Sequence, residues 1–408
     1  MTSTRRDQAT STASISDYTE HKRASVTIGG RAYVVVSKEG VFSHGRVDPA
    51  SRMLAEQLAR PMSGLVVVDM NCGNGMVGVV AAANGAPRVV LTDRNVLNAD
   101  AARRTIAEND ALHAEVHLAH GAHGHVADSS ADVVTIRIPK ERVALLQLVA
   151  EAFRVLKIGG SCYLAGATNE GIKTAAGTLE RVFGSERTLD RDAGHRLLVA
   201  TRRSETPSDA AALDTPYLDV DAFHEFDAEL RGRTFRVFTR PGVFSWDHLD
   251  EATAILAETM EVRPGETVLE IGCGAGALGT LAGTLSGDAR VLMLDADVEA
   301  VRSARRTAAA AGLANVEVRT SDVGAAAQGE SFDVVVTNPP FHVGKATDLN
   351  VPMQFIADAH AALRPGGRMY LVANRTLPYE RAVDARFGNV ATAHDGVRFK
   401  VLSAVRPA

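Results

Sequence analysis

The sequence repeats itself. Gly30-Arg31-Ala32-Tyr33-Val34-Val35-Val36, followed by Gly40-Val41-Phe42-Ser43, returns about 202 residues later as Gly232-Arg233-Thr234-Phe235-Arg236-Val237-Phe238 and Gly242-Val243-Phe244-Ser245. After one residue of slippage, Val66-Val67-Val68-Asp69 through Gly75 lines up with Thr267-Val268-Leu269-Glu270 through Gly276. Leu91-Thr92-Asp93 matches Met293-Leu294-Asp295, Ala102-Arg103-Arg104-Thr105 matches Ala304-Arg305-Arg306-Thr307, and Gly159-Gly160 with Tyr163-Leu164 echoes Gly366-Gly367 with Tyr370-Leu371. So many anchors in one order mean a duplicated domain. The chain must therefore fold as two versions of one architecture.

Composition permits this. A chain of 408 residues with 46% hydrophobic and 23% charged side chains can bury two ordinary globular cores. A net charge of −5 argues against a blanket polyanion binder, so any nucleic-acid contact must rest on a local patch. Cys72, Cys162 and Cys273 lack the spacing of a metal site or a disulfide framework and suit a reducing compartment. No apolar run is long enough to span a membrane and the N-terminus has no signal-peptide core, which sets a cytoplasmic expectation. Residues 1–24, rich in Ser, Thr and Ala, are expected to be a disordered leader. The first copy is then 25–202, an acidic linker with Pro207 and Pro216 spans 203–228, and the second copy is 229–408.

Each copy alternates short apolar runs with Ala-rich helical stretches, the pattern of a mostly parallel sheet covered on both faces. In the second copy strands are expected near 267–271, 290–294, 316–319, 332–336, 368–373 and 397–403, with helices near 277–286, 297–311 and 351–363. Leu363-Arg364-Pro365-Gly366-Gly367 reads as a helix stop and tight turn.

The chemistry concentrates in the second copy. Phe332-Asp333-Val334-Val335-Val336 is a buried strand, and it runs into Thr337-Asn338-Pro339-Pro340-Phe341-His342. Two prolines hold the backbone extended at the carboxyl end of the strand, where open α/β sheets bind ligands. Asn338 offers a side-chain carbonyl, Pro339 a main-chain carbonyl, and Phe341 a flat face: two acceptors and a ring for a planar group bearing an NH2. Upstream, Gly272-Cys273-Gly274-Ala275-Gly276 links a strand to a helix and lets the backbone approach a ligand closely. Gly274-Ala275-Gly276-Ala277-Leu278-Gly279 also fits G-x-G-x-x-G, so a dinucleotide must be weighed. Asp295 suits ribose hydroxyls in either case. Three details favour S-adenosylmethionine over NAD. Glu270 beside the loop suits a cationic methionine moiety and disfavours a pyrophosphate. Asp322 after the third strand suits an adenine amino group. The Asn-Pro-Pro-Phe stretch has no part in hydride transfer.

With these residues in place, the second half resembles the class I methyltransferases. Pro241-Gly242-Val243-Phe244-Ser245, the glycine loop, Thr337 to His342 and Gly396-Val397-Arg398-Phe399-Lys400-Val401 make it similar to the bacterial small-subunit ribosomal RNA guanine-N2 methyltransferases (the RsmC-like group), which are also duplicated. The resemblance implies two tandem Rossmann-like, doubly wound domains. It implies S-adenosylmethionine as cofactor, 16S ribosomal RNA or the small ribosomal subunit as partner, and no metal. Catalysis would fall to Asn338, Pro339, Pro340 and Phe341. The cofactor would lie on Glu270, Gly272, Cys273, Gly274, Gly276, Asp295, Ala296, Asp322, Val323 and Asn338. Phe244, Phe341, His342, Lys345, Arg398 and Lys400 are the candidates for substrate contact, with Arg375 also near the pocket.

The first copy carries Arg137-Ile138-Pro139-Lys140 where the second has Asn338-Pro339-Pro340-Phe341, Asn71 in place of Gly272, and His120 in place of Asp322. Acceptors and ring are gone, so no catalysis is expected there. The resemblance implies a degenerate domain serving stability and RNA positioning. As residues, Arg137 and Lys140 are consistent with phosphate contact, and Asp69 and Asp93 remain, which leaves cofactor binding in this copy open. Four other readings stand beside the favoured one: a large-subunit RNA methyltransferase, a protein glutamine N5-methyltransferase, a non-catalytic RNA-binding assembly factor, and an NAD-dependent oxidoreductase. Oligomeric state is not encoded in any of these signals.

Overall fold

A computed structural model describes residues 18–340 and 350–408. The first half runs β1 (Lys22–Ile28), β2 (Arg31–Ser37), α1 (Pro49–Leu58), β3 (Val66–Met70), α2 (Met76–Ala83), β4 (Arg88–Asp93), α3 (Val96–Glu108), β5 (Ala114–Leu118), β6 (Ala131–Arg137), α4 (Arg142–Val155), β7 (Leu156–Ala167), α5 (Ile172–Phe183), β8 (Arg187–Asp192) and β9 (His195–Thr201). The second half repeats the order as β10 (His224–Leu230), β11 (Arg233–Thr239), α6 (Glu251–Thr259), β12 (Val268–Ile271), α7 (Ala277–Ser286), β13 (Val291–Asp295), α8 (Val298–Ala310), β14 (Val316–Thr320), β15 (Phe332–Thr337), α9 (Asn350–Ala362), β16 (Leu363–Asn374), α10 (Tyr379–Phe387), β17 (Ala391–Asp395) and β18 (Phe399–Val405).

Each half builds a seven-stranded sheet, ordered β5-β4-β3-β6-β7-β9-β8 and β14-β13-β12-β15-β16-β18-β17, beside its own two-stranded hairpin. The strands are parallel except for the last hairpin, where β9 and β18 run antiparallel to their neighbours. The strand order reverses between β3 and β6 and between β12 and β15, which places a crevice at the carboxyl ends of those strands. Val67, Val68, Val334, Val335 and Val336 are fully buried, as central strands covered on both faces require.

The duplication reaches individual hydrogen bonds. Val36 N donates to Thr105 Oγ1, and Phe238 N to Thr307 Oγ1, both at 3.0 Å, tying each hairpin to its helix. Asp132 caps the start of β3 through Val66 N at 2.8 Å, and Asp333 caps β12 through Thr267 N at 2.7 Å. The N-caps of α1 and α6 are Asp48 and Asp250, which accept from Ser51 N and Thr253 N, each at 2.8 Å.

The expected strands and helices of the second copy are present within a few residues, and one local expectation changes. Residues 363–367 are not a free turn: Leu363 pairs with Phe332, Gly366 N donates to Arg406 O, and Arg406 N to Gly367 O, each of the latter at 2.9 Å. The segment is the bulged start of β16, because its backbone groups find ladder partners. Helices α6 and α10 carry no expectation from the sequence pattern, and α6 proves central to the site.

The halves are joined at the ends of β4 and β13. Val96 N donates to Ala296 O and Val298 N to Arg94 O, both at 2.9 Å, and Asn95 and Asp297 form an antiparallel bridge. Arg94 clamps this joint, with Nη2 2.7 Å from Asp297 Oδ2 and Nη1 donating to Pro241 O at 3.1 Å. Tyr18, Val41, Leu97 and Ala101 of the first half pack in one buried cluster with Leu294, Val323 and Phe355 of the second. Among the described residues, no helix is long and apolar enough to cross a membrane.

Candidate active site

The glycine loop owes its shape to three positive φ angles, +78° at Gly272, +52° at Gly274 and +81° at Gly276. L side chains rarely hold such angles. Space adds a second constraint: a Cβ on Gly276 would lie 2.8 Å from that of Ala304, and one on Gly272 would press on the Phe355 ring at 3.2 Å. Gly272 N and Cys273 N both donate to Leu294 O, at 2.8 and 2.9 Å, and Gly274 N donates to Asp295 Oδ2 at 2.8 Å. Asp295 Oδ1 accepts from Asp297 N at 2.9 Å. Burial, and then the Asp297 charge, push the Asp295 carboxyl up to about 6. Glu270 is 2% exposed and accepts from Gly279 N at 2.8 Å. Burial holds its carboxyl well above the ordinary range, and no cation pairs with it among the described residues. The Cys273 thiol is buried and pushed up for the same reason, so it packs rather than reacts.

Asn338 sits at the end of β15 with its amide held from behind. Its Nδ2 donates to Asp250 Oδ2 and Thr253 Oγ1, both at 3.0 Å. Those two acceptors belong to the N-cap and first turn of α6, so the helix cap also fixes the amide. Asn338 Oδ1 is buried and has no hydrogen-bond partner among the described residues. A buried carbonyl oxygen left without a donor costs about 1–3 kcal/mol, so this acceptor is held ready at a cost in stability.

A cavity of about 1160 Å³ opens over these groups. Glu270, Gly272, Cys273, Gly274, Asp295, Ala296, Val323, Asn338, Pro339, Pro340 and Phe244 all line it, so most of the predicted residues converge. Phe244 is 64% exposed and presents a bare ring. Gly276 stands behind the loop at the start of α7. The first half completes the wall with residues that include Phe42, His44 and Lys140.

Other expectations are not met by placement. Lys400 is buried and paired with Glu380, and Arg398 pairs with Glu251, so neither lines the cavity or offers a free cation. Arg375, just past β16, donates to Gly396 O in the β17–β18 turn at 2.9 Å. Asp322 is engaged by Tyr18 and Lys38 of the first half. Phe341, His342 and Lys345 lie outside the described residues. Sequence reasoning missed Asp250 and Thr253. The usable signal was the repeat itself: Asp48-Pro49-Ala50-Ser51 and Asp250-Glu251-Ala252-Thr253 keep an acidic cap with a hydroxyl three residues on.

The corresponding crevice of the first half is filled by its own side chains. Arg137 stands where Asn338 does and binds Asp48 through Nε at 3.0 Å and Glu170 through Nη2 at 2.7 Å. At 7% exposure it is a buried ion-pair centre and not a phosphate contact, which corrects that expectation. Asn71 keeps the left-handed backbone of Gly272, with φ +59°, and its Nδ2 donates across the crevice to Arg137 O at 2.8 Å. Lys140, by contrast, is exposed on the cavity.

A glycine loop at a sheet switch point, acidic strand ends and an Asn-Pro-Pro corner define a class I methyltransferase. The methyltransferase small domain family matches residues 32–199 and 234–403, covering both halves. A "Ribosomal RNA small subunit methyltransferase C" of Hahella chejuensis is 33% identical over 281 residues, 69% of this chain and 79% of the relative. The protein of that name from Pseudomonas syringae is 34% identical over 277 residues, 68% of this chain and 80% of the relative. Among solved structures, a T. thermophilus 16S rRNA N2 methyltransferase (RsmC) in complex with AdoMet and guanosine superposes with TM-score 0.79 at 27% identity, over 94% of this chain and 98% of that one. The chain belongs to the methyltransferase small domain family, in its ribosomal RNA small subunit methyltransferase C branch.

Proposed function

We infer that this chain transfers a methyl group from S-adenosylmethionine to the exocyclic N2 of a guanine in 16S ribosomal RNA. The reaction is assigned to the second copy and the first is non-catalytic. The first takes in buried Tyr18 and begins its hairpin at Lys22, inside the expected 1–24 leader, and the second begins its hairpin at His224, inside the expected 203–228 linker. The observation that carries the reading is Asn338, a residue of the cavity wall whose buried Oδ1 has no hydrogen-bond partner among the described residues. Its support from similarity is the branch named above, including a neighbour solved with AdoMet and guanosine.

The residues present fit the cofactor. The glycine loop follows a course on which a Cβ at Gly272 would press on the Phe355 ring, itself part of the cavity lining. We assign Asp295 to the ribose hydroxyls, Glu270 to the cationic methionine end, Asp322 to the adenine amino group through the acceptor positions that Tyr18 and Lys38 leave open, and Ala296 and Val323 to the walls of the adenine pocket. S-adenosylmethionine, when bound, supplies a methyl already activated by its sulfonium charge.

The chain's own work is placement. An exocyclic purine amine is a poor nucleophile because its lone pair is delocalised into the ring. Asn338 Oδ1 and the Pro339 carbonyl together can accept both N–H bonds, which draws the nitrogen toward a tetrahedral shape and frees the lone pair to point at the methyl. Asp250 and Thr253 keep the amide from rotating and offering its NH2 instead. This is orientation and fixed electrostatics, with the spare proton leaving to water. Phe341 and Phe244 are assigned to stack on a base turned out of its helix. A ribosomal RNA substrate places the work in the cytoplasm.

Incubation with labelled S-adenosylmethionine and 16S RNA, 30S particles or 23S RNA, with Asn338→Ala as control, tests the reading. The expected product is N2-methylguanine in 16S RNA or 30S particles, absent with the variant. Label confined to 23S RNA or to protein would keep the chemistry and overturn the substrate.

A further inference from the structure

The carboxylate assigned to adenine is not held by its own half of the molecule. Tyr18 Oη, ahead of β1, donates to Asp322 Oδ1 at 2.7 Å. Lys38 Nζ, just past β2, forms an ion pair with Asp322 Oδ2. Both residues are 6% exposed, and the Lys38 ammonium stands 4.2 Å from the centroid of the Tyr18 ring. Tyr18, Ser321 and Val323 line the cavity; Asp322, between the last two, is not itself part of that lining but keeps a 27% exposed side chain. Acidic neighbours crowd the pair. Asp358 accepts from Gly324 N at 2.9 Å, and burial, opposed by that bond but aided by the Asp322 charge, holds its carboxyl above the ordinary range. Without Lys38, Asp322 would face Asp358 with no counter-ion.

We propose that Tyr18 and Lys38, which belong to the non-catalytic half, are positioning residues of the cofactor's adenine pocket: they fix the Asp322 carboxylate so that it selects a purine bearing a 6-amino group. This rests on the assignment of Asp322 to adenine. A carboxylate has about four acceptor positions, and two of them are taken by the phenol and the ammonium. The remaining two can accept from a 6-amino group, whereas a 6-oxo purine would set a carbonyl against the carboxylate. Discrimination between the two depends on the carboxylate staying in place, and the first half supplies the groups that hold it. The second half then has a reason to keep its degenerate copy docked.

The test is a binding ratio on the full chain, free of turnover. Affinities for S-adenosylhomocysteine and its 6-oxo analogue, S-inosylhomocysteine, are measured by calorimetry for wild type, Asp322→Asn, Lys38→Met and Tyr18→Phe. Wild type is expected to prefer the amino form at least tenfold. Lys38→Met should lose most of that preference, Tyr18→Phe part of it, and Lys38→Arg should restore it. A role confined to stability would weaken both ligands equally and leave the ratio unchanged, which would overturn the proposal. Tyr18→Phe removes only a hydroxyl, so a wild-type ratio in that variant would overturn it even if Lys38→Met failed to fold. If Asp322→Asn abolishes the preference while the first-half variants keep it, the proposal fails and the adenine assignment stands. If Asp322→Asn keeps the preference, the assignment itself is wrong.

Discussion

Two helix caps do opposite jobs. Asp48 in the first half and Asp250 in the second each accept from a backbone N–H three residues on. Each also reaches to the residue at the end of the fourth parallel strand of its sheet. In the first half that residue is Arg137, whose guanidinium satisfies Asp48 and Glu170 and closes the crevice. In the second it is Asn338, whose NH2 satisfies Asp250 and leaves a carbonyl oxygen over. One scaffold position thus either spends all its polar groups internally or keeps one in reserve. The lesson is that, among the described residues, the second copy carries at this position an unmet hydrogen bond that the first copy has eliminated there.

The largest effect should come from removing that reserve. Asn338→Ala should lower kcat/KM for RNA by about 10³-fold, the scale for deleting a fixed hydrogen-bonding group in an active site. Affinity for S-adenosylhomocysteine should stay within about twofold. A comparable loss of cofactor binding would show that Asn338 builds the pocket rather than aims the amine. At the matching position, Arg137→Leu should do the reverse. It leaves the Asp48 and Glu170 carboxylates buried without their cation, so denaturant unfolding should show about 3 kcal/mol less stability. Once folded, the variant should methylate at the wild-type rate. A strong kinetic defect in folded Arg137→Leu would mean that the first crevice takes part in the reaction.

How much of this contrast was legible in the sequence follows from range. Asn338, the glycine loop and Asp295 were readable because their meaning is local: strand end, proline corner, positive φ. The loss of the motif at Arg137 was readable by lining up the repeat. Its consequence was not, since a basic residue at a strand end looks like a phosphate contact until Asp48 and Glu170 are seen to enclose it. Arg398 and Lys400 failed for the same reason: Glu251 and Glu380 lie in helices that the sequence pattern did not reveal. Tyr18 and Lys38 were invisible because their partner is Asp322, some 300 residues away.

The cap comparison can be sharpened at Asp250 itself. Asp250→Ala removes one of two acceptors that orient the Asn338 amide, and Thr253 Oγ1 remains. The expected loss in kcat/KM is about 10-fold, with roughly 1 kcal/mol of stability lost through the missing cap. Asp48→Ala should leave turnover unchanged despite a larger loss of stability, because it strands the Arg137 guanidinium. Equal kinetic defects in the two variants would mean that α6 matters only as a helix and that the amide orients itself.

The smallest effect separates the two carboxylates that end β4 and β13. Burial pushes Asp93 and Asp295 each up to about 6, although both accept from loop N–H groups. For stability the sign is the same in both. A carboxyl whose folded value is raised stabilises the fold fully below its unfolded value of about 4, and loses that contribution as pH rises through about 6. For binding the two should part. A ribose diol donates to the ionised form, so affinity for S-adenosylhomocysteine should rise severalfold between about pH 5 and 7, with a proton released on binding near pH 6. Asp295→Asn should flatten most of that profile, the residue belonging to Glu270, whose raised carboxyl also favours a cationic ligand once ionised. Asp93→Asn should leave it intact, because Asn71 and Arg137 already occupy the first crevice. Calorimetry in two buffers of different ionisation enthalpy measures both the profile and the proton. A profile that flattened in Asp93→Asn would place a cofactor in the half that lacks Asn338, and the division of labour between the copies would have to be redrawn.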